Sequence, residues 1–563
     1  MPISPIFTFA DQIVERMAAS DPLFASAAGI AGYEHLLPDF SPAQQRRDVA
    51  RLIEDLEFLE TLKELNDVDR IAKAVMRERL GAQRTLMESG EFRRTFSVLS
   101  SPVSDVRQAF ELMATATPDD AEVIRVRLHQ VGPSMATWRE TLRHVADAQQ
   151  LPSARHVLGV ADQARTYAEG AFQSFVNRVA ASAHVNPEQS GLIRGANEAE
   201  AAYGELAEWM RTELAPRASE IEACHDERYR RWSTYWTGAT LDLDELYAWG
   251  YEDLRRIHAR MWRVADQLLP GATNLVEVAQ HLDHDPARAI VGTEELLRRL
   301  RSFTQRTVEE LDGVHFDIDE RIRLCDARLA PEGSAAAPYY LAPSEDLSRP
   351  GTTWFPTLGE TTFAWWRHAS TWYHESVPGH HLQVATSLLS AQRQSRFHRL
   401  AGWTPGYGEG WALYAERLMD ELGYFVDPGD ELGYLANQAL RAARIVIDLG
   451  LHLELDAPDD LGQLGTLGDC SGQRWSPKMA VALLEEWAIQ DHAMSTSEVD
   501  RYLGLPGQAI SYKVGERAWL SAREGAYERL GDTFSLKSFH AYALGLGPLG
   551  LDTFAEEMAA WPG

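Results

Sequence analysis

The chain has 563 residues, of which 45% are apolar and 24% are charged, a composition typical of a globular protein with an ample core. Acidic residues outnumber basic ones by 83 to 54, and the resulting net charge of −29 argues against binding to nucleic acid or to an anionic membrane surface. The three cysteines form no CxxC pair, no run of 18 apolar residues occurs, and the first residues lack the pattern of a signal peptide. We therefore expect a cytoplasmic protein without a membrane span.

Helical patterns dominate the first half of the chain. Apolar residues at three- and four-residue intervals predict amphipathic helices, for example over 52–65 and 245–269. Ser41 followed by Pro42 predicts the start of another helix, because serine caps helices and proline fits their first position. This pattern predicts a mainly α fold.

The helical pattern is interrupted twice. Over 329–360, Pro, Gly, Ser and aromatic residues replace it, and "PYYLAP" and "TTWFPTL" predict short strands of one small sheet, with an edge strand over 337–357. A second loop is predicted over 456–477. We divide the chain into an N-terminal helical region, 1–240, and a catalytic zincin-like region, 241–563, and expect the two to form one integrated unit.

The segment "YHESVPGHHLQ", residues 373–383, follows the predicted sheet and suggests a metal site. In zinc peptidases a His-Glu pair is followed by a second histidine four residues after the first, about one helical turn, so that both imidazoles reach one ion. Here His374 and Glu375 form the pair, but the next histidines, His380 and His381, come six and seven residues later. A regular helix would carry both away from the ion.

Pro378 and Gly379 lie between the histidines and explain the unusual spacing. Proline removes a helical hydrogen bond, and glycine permits unusual backbone torsions. We therefore predict a break in the helix that returns His380 to the side of His374.

The helix predicted over 407–423, "YGEGWALYAERLMDELG", supplies carboxylates. A glutamate from a following helix commonly completes a two-histidine zinc site, and Glu409 is our candidate. Glu416 lies seven residues later on the same face and is either a group that supports a ligand or a capping charge. The alternative is that both glutamates are solvated surface carboxylates.

A polar stripe runs along the apolar segment 441–452, where Arg441, Arg444, Asp448 and His452 follow at steps of three, four and four. One interpretation is an ion pair within the helix between Arg444 and Asp448. In the other, Asp448 supports a ligand histidine, an arginine holds a substrate carboxylate, and His452 stabilises the oxyanion. For that last role we prefer Tyr512, in "PGQAISYKVGERAW".

Several of these segments resemble known zinc peptidases. "EGWALYAE" resembles the helix of aminopeptidase-N-type enzymes whose glutamate is the third zinc ligand. Over nearly its whole length the chain resembles a bacterial family catalogued as domain of unknown function 885. The matching stretches are "SDPLFASAAGIAGYEHLLPDFS", "YHESVPGHHLQ", "GEGWALYAERLMDELG", "RAARIVIDLGLH", "PGQAISYKVGE" and "FHAYALGLGPLGLDTF".

This resemblance implies a helical, zincin-like (gluzincin) metallopeptidase fold related to carboxypeptidases and oligopeptidases. It implies that His374, His380 and Glu409 are the ligands and Glu375 the general base, and the Gly-His dipeptide favours His380 over His381. His381 is then expected to contact the substrate. Some relatives carry lipoprotein signals, which this sequence lacks.

We therefore expect a peptidase with one Zn²⁺ per chain that acts on short peptides in the manner of a carboxypeptidase. Glu375 would take a proton from the attacking water and pass it to the leaving amine. Two alternatives remain: an Fe(II) oxygenase with two histidines and one carboxylate, and a peptide-binding protein without catalysis. The sequence leaves a homodimer open.

Overall fold

The structure is a computed structural model that describes residues 4–330, 337–344, 347 and 349–563. Helices make up 67% of it, which confirms the mainly α prediction. Among the described residues, none of the helices is both long enough and apolar enough to cross a membrane. The chain divides into two compact units, Met1–Asp69 with Leu80–Glu222 and Arg70–Arg79 with Ala223–Gly563.

The first unit is helical, and its helices start where the sequence provides caps. The Ser41 side chain accepts a hydrogen bond from the Gln44 backbone at 3.2 Å, and Pro42 occupies the first helical position, as predicted. The apolar core includes Phe110, Trp138 and Phe172. The helices are α1 (Pro5–Ser20), α2 (Pro22–Ala28), α3 (Pro42–Thr61), α4 (Asp67–Glu88, of which 70–79 belong to the second unit), α5 (Glu91–Arg94), α6 (Pro102–Glu111), α7 (Pro118–Leu128), α8 (Val131–Asp147), α9 (Ala154–Ala168), α10 (Ala171–Ser182) and α11 (Leu192–Trp209).

The second unit contains all the strands of the described residues and all the predicted site residues. Its helices are α12 (His225–Thr237), α13 (Leu243–Leu268), α14 (Leu275–Asp283), α15 (Thr293–Leu311), α16 (Ala369–Glu375), α17 (His380–Leu389), α18 (Arg396–Ala401), α19 (Pro405–Glu421), α20 (Pro428–His452), α21 (Pro477–Trp487), α22 (His492–Gly504), α23 (Ser511–Leu530), α24 (Leu536–Leu546) and α25 (Leu551–Ala560). The predicted loop at 456–477 separates α20 from α21.

Two small sheets precede α16. One has the order β2 (Cys325–Leu329), β4 (Gly351–Phe355), β3 (Tyr339–Leu341), with β2 parallel and β3 antiparallel to β4. The other pairs β1 (Ala289–Val291) with β5 (Thr362–Ala364). The two strands predicted from "PYYLAP" and "TTWFPTL" are present, whereas β2 and the second sheet were not predicted.

The predicted edge strand over 337–357 needs a correction. β4 lies in the middle of its sheet, so its backbone groups already pair on both sides. The edges of the sheet are β2 and β3, and of these only β3 falls within 337–357. Residues 331–336, 345, 346 and 348 of the predicted strand region lie outside the described residues.

Buried aromatic side chains fix the helix that carries Glu409. The rings of Trp411 on α19 and Trp519 on α23 lie 4.8 Å apart. The indole N–H of Trp519 also donates to the carbonyl oxygen of Tyr407, at 3.2 Å. These contacts hold the first turns of α19 rigidly, which positions Glu409.

Candidate metal centre

The helix that carries the His-Glu pair stops immediately after it. α16 ends at Glu375 and α17 begins at His380, so a short loop separates them. The indole N–H of Trp411 donates to the carbonyl oxygens of Pro378 and Gly379, at 2.9 and 3.1 Å, and holds this loop against α19. The break predicted at these two residues is confirmed.

Three side chains converge at this break. Nε2 of His374 lies 3.2 Å, and Nε2 of His380 lies 3.4 Å, from the same carboxylate oxygen of Glu409. Potential ligand atoms of the three lie within 4.8 Å of one another, the one such group among the described residues. Two atoms bound tetrahedrally to one ion at about 2.1 Å are about 3.4 Å apart, so these separations fit a divalent cation.

His381 points to a different part of the protein. Its Nε2–H donates to the carbonyl oxygen of Ile322 at 2.7 Å, and its Nδ1 accepts from the Tyr340 hydroxyl at 3.0 Å. The side chain is buried, with both nitrogens in use. Of the two adjacent histidines only His380 joins His374. His381 ties α17 to β3, and the expected substrate contact receives no support from this geometry.

Glu416 lies behind His374 and orients its ring. One carboxylate oxygen accepts from Nδ1–H of His374 at 2.8 Å, and the other accepts from the Ser370 hydroxyl. Because Glu416 is fully buried, the alternative of a solvated carboxylate is wrong. Proteins commonly support a ligand histidine by such a carboxylate, which turns Nε2 toward the metal.

The charges of the centre favour a cation. Burial lowers the pKa of His374, but hydrogen bonds with Glu409 and Glu416 outweigh burial and raise it to about 10. Burial raises the pKa of Glu409, but the neighbouring His380 and His374 outweigh that effect and hold it well below its ordinary value. For Glu375 burial dominates and raises the pKa. Two buried carboxyl groups, Glu375 and Glu416, and the partly buried Glu409 surround two imidazoles and are stabilised by an added positive charge, so the donor set fits a divalent metal.

Part of the centre is accessible to solvent. The exposed fraction of the side chain is 3% for His374 but 10% for His380, 11% for Glu375 and 18% for Glu409. A carboxylate oxygen of Glu375 lies 4.0 Å from Nε2 of His374. The carboxylate next to the first histidine thus lies on the accessible side, where a water molecule or a substrate can approach.

Tyr512 forms a wall of the centre beside His374. The two rings stack, with centroids 6.4 Å apart and planes inclined by 18°. The Arg444 guanidinium lies 4.4 Å from the centre of the tyrosine ring, and Arg501 donates to the Tyr512 hydroxyl at 3.2 Å. Arg444 in turn donates through Nε and Nη2 to Glu498, at 3.0 and 2.8 Å.

The predicted polar stripe on α20 therefore divides among different partners. Because Arg444 pairs with Glu498, it does not form the ion pair with Asp448 that its spacing allows. Asp448 instead accepts from the Tyr229 hydroxyl at 2.6 Å and from the Gly507 N–H at 3.0 Å. These contacts stabilise the fold, and they do not place Asp448 behind a ligand histidine.

His452 lies fully buried at the end of α20. Its Nδ1 accepts from the backbone N–H of Cys224 at 3.3 Å, and its Nε2–H donates to the carbonyl oxygen of Tyr502 at 2.9 Å. No ring nitrogen remains for a substrate oxyanion, so the geometry gives no support to that predicted role.

Arg441 remains near the acidic residues. Burial has the largest effect on the pKa of both Glu375 and Glu416, and the positive charge of Arg441 opposes burial at both carboxyl groups. Its Nη1 donates to the Asn437 side chain at 2.8 Å. Of the two predicted arginines it is the better placed for a substrate carboxylate.

Sequence reasoning missed some neighbours of the centre. Glu498 and Arg501 lie more than a hundred residues beyond His374 and belong to no recognisable motif. Trp403, whose ring centroid is 6.0 Å from that of His380, could have been found, since it lies six residues before Glu409.

The fold and the convergence of His374, His380 and Glu409 define a mainly helical protein with a group of side chains that could hold a metal ion. The sequence matches the family described as "Bacterial protein of unknown function (DUF885)" over residues 22–558, and the chain belongs to this family. None of the curated proteins matches it.

Two solved structures are similar. One, described as a "putative lipoprotein" from Colwellia psychrerythraea, has a TM-score of 0.84 at 22% identity and covers 99% of this chain and 98% of its own. The other, a "putative lipoprotein of unknown function" from Shewanella oneidensis, has a TM-score of 0.73 at 18% identity and covers 99% and 100%. At these identities the likeness concerns the fold alone.

Proposed function

We propose that the protein is a zincin-like, metal-dependent hydrolase that cleaves short peptides, in the manner of a carboxypeptidase. One observation carries the proposal: His374, His380 and Glu409 converge, and Glu375 lies beside them on the open side. Three protein ligands and an adjacent carboxylate are the essential parts of a zinc hydrolase.

Zn²⁺, one ion per chain, is the metal that we assign to the centre. Two imidazole nitrogens and one carboxylate oxygen form a common donor set of catalytic zinc sites. The bound ion would polarise the substrate carbonyl and make a water molecule more acidic. The same donors suit Fe(II), but an oxygenase has no need of Glu375 next to the first histidine.

Glu375 acts as the general base. It takes a proton from the attacking water and later gives it to the leaving amine, so that each peptide bond is hydrolysed without a covalent intermediate on the protein. Trp411 on α19 holds the loop that follows Glu375, through Pro378 and Gly379, which limits the movement of the carboxylate.

Tyr512 and Arg441 orient the substrate. Because Arg501 donates to the Tyr512 oxygen, the hydroxyl hydrogen of Tyr512 is available to the developing oxyanion, a contact worth about 10²–10³ in rate. Nε of Arg441 is buried and has no hydrogen-bond partner among the described residues, so it can bind a C-terminal carboxylate.

The test combines metal analysis with hydrolysis. Protein purified without chelators or a metal-binding tag is expected to contain about one zinc per chain, to lose it in His374→Ala, and to release C-terminal residues from a peptide library. Glu375→Gln should keep the zinc and lose at least about a hundredfold in kcat.

Each other result has a definite meaning. One iron per chain would favour an Fe(II) oxygenase over the hydrolase. Tight binding of peptides by wild type without turnover would indicate a binding protein. No metal, even after zinc is added, would refute the centre.

A further inference from the structure

An exposed aromatic side chain lies against the metal centre and has no role in the proposed chemistry. Trp403 is 41% exposed, although the indole is one of the largest apolar side chains. Its ring lies beside that of His380, at 6.0 Å between centroids and an inclination of 58°. An isolated exposed apolar residue is ordinary on a protein surface, so its position relative to the centre decides what it means.

The indole packs on the backbone of the helix that carries Glu409. A Cβ at Gly408 would lie 2.0 Å from the six-membered ring of Trp403, so the indole covers the backbone directly before Glu409. The following residue, Thr404, is fully buried, and its hydroxyl donates to the carbonyl oxygen of Leu549 at 2.8 Å, which anchors the backbone next to the tryptophan. Part of the ring thus contacts the protein while 41% of the residue stays exposed.

The position of Trp403 coincides with the accessible side of the centre. The side chain of His374 is only 3% exposed, whereas His380 and Glu409 are more exposed, and the indole lies beside His380. A molecule bound at His380 therefore lies next to the indole. In a binding site, an aromatic ring supplies apolar contact area, and neighbouring polar groups fix the orientation of the ligand.

We infer that Trp403 forms the apolar wall of the substrate site and selects peptides with an aromatic or large aliphatic side chain next to the scissile bond. This inference rests on the proposed function, because it concerns the substrate of the same centre. It assigns a specificity-determining residue that touches the substrate side chain.

The test uses acetyl-Ala-Ala-Ala and three variants in which phenylalanine replaces one alanine at a time. Wild type should prefer one phenylalanine peptide, and Trp403→Ala should lower kcat/KM for that peptide about tenfold, mainly through KM. The same substitution should change the all-alanine peptide less than about twofold. Trp403→Phe should retain most of the preference. Trp249→Ala, which removes an indole packed under Arg517, serves as the control and should change neither peptide.

Two results would overturn the inference. If Trp403→Ala lowers kcat/KM equally for the phenylalanine and the all-alanine peptide, the indole only positions His380. If wild type shows no preference for a phenylalanine peptide, Trp403 does not form an apolar wall of the substrate site.

Calorimetric titration of zinc-loaded Glu375→Gln with the same peptides separates this inference from the proposed function. Tighter binding of the phenylalanine peptide, lost when Trp403→Ala is added, would support the wall even if wild type hydrolyses nothing. If wild type hydrolyses peptides but the phenylalanine peptide binds no more tightly than the all-alanine peptide, the proposed function stands and the role of Trp403 is refuted.

Discussion

At the scale of single residues, Glu416 fixes the orientation of the His374 ring. Its carboxylate is fully buried, and it accepts hydrogen bonds from Nδ1 of the histidine and from Ser370. A carboxylate behind a ligand imidazole fixes the ring and makes its other nitrogen a better donor.

We expect Glu416→Gln to weaken zinc binding about tenfold to a hundredfold, because the amide still fits but removes the charge that supports His374. Competition with a chelator of known affinity measures this change. Glu421→Gln is the control, since Glu421 lies on the same helix but pairs with Arg523 at the surface. Equal zinc affinities of the two variants would show that Glu416 does not support the ligand.

Asp448 is a buried acid outside the centre. Burial raises its pKa to about 7, against the hydrogen bonds from Tyr229 and Gly507 and the charge of Arg501. From its own helix, Nε2 of His452 lies 3.8 Å from the carboxylate. Because the ordinary value in an unfolded chain is about 3.9, the folded protein holds this proton more tightly.

This raised pKa predicts a pH-dependent difference between wild type and Asp448→Asn. The stabilisation from the bound proton is complete below about pH 4 and disappears as the pH rises through about 7. The variant should therefore gain stability relative to wild type between pH 4 and 8, by about 4 kcal/mol in the free energy of unfolding. Denaturant titrations of both proteins at each pH measure it, and a constant difference would contradict it.

At the scale of elements, the break between α16 and α17 brings the ligands together. A Cβ on Gly379 would lie 1.9 Å from the carbonyl oxygen of His374, so only glycine allows the chain to return this closely. We expect Gly379→Ala to weaken zinc binding more than about tenfold and to lower the free energy of unfolding by about 2 kcal/mol.

Gly525→Ala is the matched control for this substitution. A Cβ there meets nothing within 4 Å, and the residue lies inside α23, so alanine should leave zinc binding unchanged and slightly favour the helix. Zinc titration and denaturant unfolding of the two variants make the comparison. Full zinc affinity in Gly379→Ala would show that the break tolerates a side chain.

The sequence predicts those parts of the site that depend on local backbone chemistry. Pro378 and Gly379 predict the break in the helix. Helical periodicity predicts that Glu409 and Glu416 lie on the same face of α19. β2 was missed because "CDARL" lacks β-branched and aromatic residues, and its pairing with β4 depends on contacts made elsewhere. The sequence also does not show which acid pairs with Arg444. Tertiary packing brings Glu498 to Arg444, so the arginine pairs with Glu498 and not with Asp448, four residues away on its own helix.

At the scale of the whole molecule, the net charge of −29 adds to the attraction that the carboxylates of the centre exert on a cation. The summed field of an acidic protein attracts cations of every kind, and salt screens this attraction. Selectivity must therefore come from the ligands, and imidazole nitrogens favour zinc over magnesium, which prefers oxygen.

Zinc binding should consequently stabilise the fold. Free zinc at a hundredfold excess over its dissociation constant is expected to raise the free energy of unfolding by about 2.7 kcal/mol, since the unfolded chain cannot assemble His374, His380 and Glu409 around one ion. Calorimetric unfolding with and without zinc measures the increase. Magnesium at the same concentration controls for the general attraction of cations, and His374→Ala removes a ligand while the net charge stays nearly constant. Equal stabilisation by magnesium, or an undiminished zinc effect in the variant, would show that the acidic surface binds the ion and the centre does not.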